Sequence, residues 1–445
     1  MPTKQTNWTV TSKPGAEECF VHIALPGETE FVTAGRFEHL QDRHGVATGR
    51  FVYGKSYLAR NNAVPIDPIE LKLGTRTYET RLLQGVFGAL RDACPDHWGR
   101  RIIERHFGSP GPGELDYLLE SPDDRAGALA FGRNRVPPAP KRKFNRTMDL
   151  VKLQAFADAI IADAALPQDP DAQQTQELML EGTSMGGARP KAVVEDNNAL
   201  WIAKFNRSDD QWNHAKVERA MLELARTCGI QTAESKLTTI GDRDALLVKR
   251  FDRQQTESGY QRARMLSALT LLRAEDTHTD REKWSYVLLA EELRRISAQP
   301  KVDAPEIFAR MCFNALISNT DDHPRNHAVI AMKNEWKLSP AYDLIPSMPV
   351  SIEERFLALS CGDEGKLARA GNLLSQCTRF LVNPDEAKAI IDTMEKTVKE
   401  QWLPIARKQG VSEKDCDTIR PAFAYEGFRL ALAEAAASGS INWCR

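Results

Sequence analysis

Apolar positions along this chain change their period more than once. Between about residues 20 and 80, short apolar runs alternate with turn residues, as in CFVHIALPGETEFVTAGRF and GRFVYGKSYL, which predicts several short strands. From 82 to 107, LLQGVFGALRDACPDHWGRRIIERHF carries apolar residues at helical spacing, with a break near Pro95. A further helical piece and a Gly-Ala strand follow in GELDYLLESPDDRAGALAFG. The Pro-rich, basic stretch VPPAPKRKFNR, 136 to 146, predicts an exposed connection. Beyond it DLVKLQAFADAIIADA reads as a helix. Strand-like SMGGARPKAVVE, ALWIAKFN and LTTIGDRDALLVKRFD come next, with the helical AKVERAMLELARTCGI between the last two. From about 264 onward helical spacing dominates, interrupted between 317 and 347. The expected organisation is an N-terminal β-rich unit over 1–138, a small sheet-bearing lobe over 139–252 and a helical lobe over 253–445. This is an α+β chain.

At 445 residues, with 42% hydrophobic and 27% charged residues, the composition is that of a globular protein of two or three domains. A formal net charge of -2 gives no global pull toward nucleic acid or an anionic membrane. The first residues, MPTKQTNWTVTSKPGAEE, lack the apolar core of a signal peptide, and no stretch has the length of a membrane span. A cytoplasmic location is the expectation. The cysteines at 19, 94, 228, 312, 361, 377, 416 and 444 are scattered singly without a C-x-x-C pair, which argues for reduced thiols and against a zinc site.

The interruption at 317–347 carries the most chemistry. In SNTDDHPRNHAVI, Asp321 and Asn326 stand five positions apart, and Asp343 follows in the apolar run KLSPAYDLIPS. Phosphoryl transfer needs a carboxylate beside the attacking hydroxyl, plus an amide and a second carboxylate to hold Mg2+ against phosphates. Protein kinases use the same Asp-to-Asn offset, although the His-Arg that precedes their Asp is missing here. Pro324 stops the preceding helix, and the hairpin predicted between 327–331 and 336–342 would return Asp343 beside Asn326. Asp322 competes with Asp321 for the role of base; the offset favours Asp321, leaving Asp322 structural and His323 to order the loop or approach phosphate.

Upstream, the glycine loop Ser184-Met185-Gly186-Gly187-Ala188-Arg189-Pro190-Lys191 leads into a strand. Its backbone N–H groups, with Arg189 and Lys191, suit phosphate oxygens, although a Gly-Gly turn is commonly only a hairpin. Lys204 sits in the apolar strand LWIAKF, where a lysine either reaches solvent or enters a cleft. Glu218, on the following helix, is placed to pair with it. Lys249, Arg250 and Phe251 end the strand that hands over to the helical lobe, where a hinge can meet an adenine ring. Each signal is weak alone; their order along one chain is what gives them weight.

Taken together, TSMGGARPKA, WIAKFN, VKRFD, NTDDHPRNHAV and LSPAYDLIPS resemble the HipA family of bacterial serine/threonine kinases, the toxins of type II toxin–antitoxin pairs. The likeness extends to LDYLLESPDDRAGALAF and so covers nearly the whole chain. It implies a two-lobed protein-kinase-like fold with an N-terminal mixed α/β part and an all-helical C-terminal lobe. It implies Asp321 as catalytic base, Asn326 and Asp343 as Mg2+ ligands and Lys204 as the phosphate-binding lysine. The loop from Gly186 to Lys191 would cover ATP, Lys249 to Phe251 would border the adenine, and His323 would lie near phosphate. Ser184, with Thr183 as the alternative, would be autophosphorylated, which adds nearly two negative charges where ATP phosphates must sit. The implied partners are a HipB-like helix-turn-helix antitoxin, operator DNA mainly through that antitoxin, and translation-associated substrates, aminoacyl-tRNA synthetases among them. Two other readings stand beside it: a catalytically inactive kinase-fold co-repressor, and a small-molecule phosphotransferase of the antibiotic-modifying type.

Overall fold

In a computed structural model of the chain, residues 17–107, 112–140, 144–146, 149–164, 189–351 and 354–429 are described. The alternating N-terminal runs form a five-stranded antiparallel sheet in the order β4-β3-β2-β1-β5, from β1 (Glu17–Ala24), β2 (Phe31–Gln41), β3 (Ala47–Tyr53), β4 (Tyr78–Thr80) and β5 (Leu129–Gly132). Period-2 spacing puts Cys19, Val21 and Ile23 of β1 inside with Phe37 and Phe51. Helices Gly88–Asp92 and His97–Phe107 flank the break at Pro95, and Glu114–Glu120 precedes β5.

A second sheet runs β6-β7-β8-β10-β9, from β6 (Asn145–Arg146), β7 (Lys191–Asp196), β8 (Ala199–Phe205), β9 (Ser235–Ile240) and β10 (Arg243–Lys249). Two expectations change here. The single strand read in LTTIGDRDALLVK is a hairpin turning at Gly241, whose φ of +60° is left-handed backbone that glycine adopts without strain. The expected exposed connection ends inside the fold: Asn145 is buried and pairs in parallel with Val194, while Phe144 packs edge-on against Tyr260. One face of this sheet, with Ala203, Ala245 and Leu247, buries against Leu153, Phe156 and Ile160 of helix Leu150–Ile161. Leu246 and Val248 of the opposite face join the main core beneath helix His214–Thr227.

The remainder is helical around one small sheet. Hairpin strands β11 (Arg253–Thr256) and β12 (Gly259–Arg262) lead to β13 (Arg264–Ser267), which pairs with β14 (Ala328–Ala331), and β14 pairs with β15 (Lys337–Leu338). The last pairing is the hairpin expected around the acidic loops; β13 is an addition. Helix Pro300–Leu316 is buried at Ile307, Phe308, Met311, Cys312, Phe313 and Leu316, and also at the polar Asp303, Arg310 and Asn314, and forms the centre of this lobe. It packs on Tyr286–Ile296 and on the long helix Pro384–Lys408. The long helix is capped by Asn383, whose side chain accepts from Glu386 N at 2.9 Å, with acids in its first turn and bases in its last. No helix among the described residues is long and apolar enough to cross a membrane. All seven cysteines among them are free.

The two sheets and the helical lobe are locked by a buried ionic cluster. Arg250 donates to Asp124 Oδ1 (2.6 Å), to both oxygens of Asp252 (3.0 and 2.9 Å) and to the Arg125 carbonyl (2.8 Å). Arg253 donates to Asp252 Oδ2 (2.7 Å) and to the Gly127 carbonyl (2.9 Å), and Asp252 also accepts from Gly127 N (2.9 Å). The side chains of Arg250 and Asp124 have no exposed surface. Burial works against the Asp252 charge, but the two arginines outweigh it and hold the carboxyl below the usual carboxylate range.

Candidate active site

Alternation along β7, β8 and β10 sets the site's charge. Lys191, Lys204 and Leu246 are cross-strand partners in one row, so both lysines share the sheet face that helix His214–Thr227 covers. Asn213 caps that helix by accepting from Lys216 N at 3.1 Å. Glu218 lies within its buried stripe of Val217, Met221, Leu224 and Ala225. From there its Oε1 accepts from Lys204 Nζ at 2.6 Å, while Asp343 Oδ1 accepts from the same nitrogen at 2.7 Å. Burial works against the Lys204 charge, but Asp343 and Glu218 outweigh it and raise its pKa. Lys191 is also buried; burial and then the neighbouring Lys204 push its pKa down to about 8.

Asp343 itself has φ of +60°, left-handed backbone for a non-glycine residue, a conformation that costs on the order of 1–3 kcal/mol and concentrates at functional sites. Its neighbours hold it there. Ala341 N donates to the Gln231 carbonyl (2.7 Å), Tyr342 OH to the Arg325 carbonyl (2.7 Å), and Ser347 N to the Ser318 carbonyl (2.9 Å). The segment is thus tied at both ends to the loop that carries Asp321 and Asn326. Burial opposes the Asp343 charge, yet Lys204, Lys191 and Arg189 together keep its carboxyl below the usual range.

The acidic loop is pinned from within. Asp322 is buried, and its Oδ2 accepts from Tyr286 OH and meets His327 Nε2 at 2.7 Å; Asn314 in turn donates to Tyr286 OH at 3.2 Å. That saturates one oxygen of Asp322 in the core and leaves Asp321 at the exposed side of the loop. Partial burial, then the nearby Asp343, raises the Asp321 pKa. His323 caps the turn Pro324–Asn326: its Nδ1 accepts from Arg325 N at 3.2 Å, and its Nε2 meets Asp276 Oδ1 at 3.0 Å. Both ring nitrogens are thereby engaged in ordering the loop.

At the expected hinge, Lys249 and Arg250 are engaged in contacts of the fold. The Arg250 side chain belongs to the ionic cluster, and its N–H donates to the Leu200 carbonyl (2.8 Å); the Lys249 N–H donates to the Glu234 carbonyl (2.8 Å) and its ammonium pairs with Glu234 Oε2 (2.8 Å). These contacts occupy the backbone N–H groups of Lys249 and Arg250, and the Phe251 ring lies 5.5 Å from that of Tyr342. Arg189 is held by Asp210 at 2.9 and 2.5 Å. Thr183, Ser184, Gly186, Gly187 and Ala188 lie outside the described residues.

Residues 31–132 match the model of the HipA N-terminal domain, and residues 183–402 that of the HipA-like C-terminal domain. The chain belongs to the HipA family. Among similar proteins, “Putative kinase Y4mE” of Sinorhizobium fredii (strain NBRC 101917 / NGR234) is 23% identical over 358 residues, 74% of this chain and 79% of that protein. A Haemophilus influenzae protein with the same kinase description is 24% identical over 191 residues, 38% of this chain and 54% of its own length. Shewanella oneidensis MR-1 HipA, solved with HipB and its operator DNA, superposes with a TM-score of 0.63 over 90% of this chain and 94% of that one, at 16% identity. At that identity the likeness is one of fold, and the fold is the kinase-like, mixed α/β one of HipA.

The residues fit a metal-bound polyphosphate. Two lysines on one sheet face supply positive charge, and Asp343 is kept anionic beside them. Among the described residues no group of three or more His, Cys, Asp or Glu could hold a metal by itself. Asn326 and Asp343 could hold an ion together with phosphate oxygens and water, the mixed coordination that Mg2+ accepts readily.

Sequence reasoning missed the groups that support the loop from a distance, above all Arg325 with Asp96, whose side chains form an ion pair, and Tyr342. Asp96 and Arg325 are separated by 229 residues, so no local pattern marks them.

Proposed function

We propose that this chain is an ATP- and Mg2+-dependent protein serine/threonine kinase, the toxin of a HipBA-like toxin–antitoxin pair. The observation that carries the reading is Lys204 held between Glu218 and Asp343, with the loop of Asp321 tied to Asp343 through Tyr342 and Ser347. In this reading Lys204 and Lys191 bind ATP phosphates, the loop from Gly186 to Lys191 covers them, and Phe251 borders the adenine. Asn326 and Asp343 would hold Mg2+, which when bound would supply positive charge against the phosphates. Asp321 takes the proton of the acceptor hydroxyl while that oxygen bonds to the γ-phosphorus; the bond to the bridging oxygen breaks and ADP leaves. Burial and Asp343 raise its pKa, which makes its carboxylate a stronger proton acceptor.

The acceptor is a serine or threonine of a translation-associated protein, an aminoacyl-tRNA synthetase being the family's example. Ser184 is the autophosphorylation site, with Thr183 the alternative acceptor. The likeness to a HipA solved with HipB and operator DNA supports a helix-turn-helix antitoxin as partner and DNA contact chiefly through it. The test is transfer of labelled γ-phosphate from ATP by the full chain, alone and in host extract, with and without Mg2+. Label on Ser184 and on a protein acceptor is the expected result. Label on an aminoglycoside alone would establish the small-molecule reading, and ATP binding without any transfer the co-repressor reading.

A further inference from the structure

The N-terminal sheet unit grips the loop of Asp321 and Asn326 directly. Arg325 lies between the two in sequence, inside the short turn Pro324–Asn326, and its guanidinium meets Asp96 Oδ1. Asp96 immediately precedes helix His97–Phe107 of that unit. The pair is largely enclosed, with side-chain exposures of 16% for Arg325 and 12% for Asp96. Four residues earlier, half-buried Asp92 accepts from Ser267 N (2.7 Å), Ser267 Oγ (2.6 Å) and Thr270 Oγ1 (2.8 Å). Ser267 pairs with Ala328 across β13 and β14, and Ala268 N donates to the His327 carbonyl at 2.8 Å. Asp92 thus holds the strand end onto which the Asp321 loop closes, and Asp96 holds the loop. Close backbone approach reinforces both: a Cβ added at Gly88 would stand 2.6 Å from Thr270 Cγ2. A further bond joins the same surfaces, from Leu83 N to Glu275 Oε1 at 2.7 Å.

We infer that Asp96, through its ion pair with Arg325, is a positioning residue for phosphoryl transfer, so that the N-terminal unit completes the active geometry of the kinase lobes. The inference rests on the roles proposed above for Asp321 and Asn326. Physically, Arg325 can choose neither its depth nor its angle freely: its carbonyl accepts from Tyr342 OH while its guanidinium is held by Asp96. The adjacent Asn326 is therefore fixed between two tethers, one leading to Asp343 and the other to the N-terminal unit. Removing the Asp96 charge leaves an enclosed guanidinium unpaired and lets the turn shift. Groups that orient metal ligands from behind commonly matter for activity almost as much as the ligands do.

The test uses steady-state kinetics of the full-length chain with ATP and Mg2+, each variant first matched to the parent in thermal midpoint and near-ultraviolet dichroism. Asp96→Asn, which keeps size and polarity, is expected to lower kcat by roughly 10- to 100-fold. KM for ATP should change little, because the lysine row is intact, while the Mg2+ concentration for half-maximal rate rises. Asp96→Glu should recover part of kcat, and the exchanged pair Asp96→Arg with Arg325→Asp more than either single reversal. A structural role alone would lower the amount of folded protein without moving the Mg2+ requirement. Wild-type kcat and Mg2+ demand in folded Asp96→Asn, beside an inactive Asp321→Asn, would overturn this inference and leave the kinase reading standing. Equal transfer by the parent and Asp321→Asn would instead remove the reading on which it rests.

Discussion

Lys191 and Lys204 face each other across two strands, and their different partners give them different chemistry. Lys204 is held charged by Glu218 and Asp343; Lys191 is pushed down to about 8 by burial and by Lys204. A lysine whose folded pKa lies below its ordinary value, about 10.4, holds fewer protons in the folded than in the unfolded chain between those two values. Its burial therefore lowers stability at neutral pH, and that penalty fades as pH rises through 8 toward 10. A bound polyphosphate reverses the bias and draws a proton onto Lys191. Calorimetry of ATP binding at pH 8.5, in buffers of different ionisation enthalpy, should show net proton uptake that shrinks at pH 6.5 and vanishes in Lys191→Met; unchanged uptake in that variant would exclude the lysine as its source. Lys204, Glu218 and Asp343 were legible because an ion amid apolar neighbours needs a partner. The fate of Arg250 was not legible, because Asp124 lies 126 residues away.

Elements were legible where one period held for long enough. The helix carrying Glu218 and the hairpin of β14 and β15 follow from spacing and from Pro324. By contrast β6, two residues long, and β13, four, are too short to show a period, and their places come from neighbours they meet only in the fold. The seat of helix Gly88–Asp92 on helix Ala268–Leu271 is of the same kind. It depends on a missing side chain, since a Cβ at Gly88 would overlap Thr270. Gly88→Ala should destabilise the chain by about 1–3 kcal/mol in urea denaturation, the usual cost of overpacking. A neutral or stabilising change would mean that the two helices separate without loss.

Across the whole molecule, the buried cluster of Arg250, Asp124, Asp252 and Arg253 fastens the N-terminal unit to the kinase lobes. Asp252→Ala leaves two buried arginines short of a partner and should cost about 3–5 kcal/mol, read as a lowered denaturation midpoint. The carboxyl is held below its ordinary value, so its contribution is full above about pH 4–5 and is lost as pH falls through the unfolded value of about 3.9 toward the folded one. Asp252→Ala should accordingly flatten the acid limb of the stability profile. These fastenings matter because the proposed site is assembled from distant parts: lysines from one sheet, Asp343 and Asp321 from loops around another, and the Asp96 anchor from a third. The central claim is that this assembly moves phosphate from ATP to a protein hydroxyl, and the most direct measurement is Mg2+-dependent γ-phosphate transfer by the parent chain and by Asp321→Asn. The account predicts labelled protein from the parent and a loss of about 10²–10⁴-fold in the variant; equal labelling by the two would contradict it.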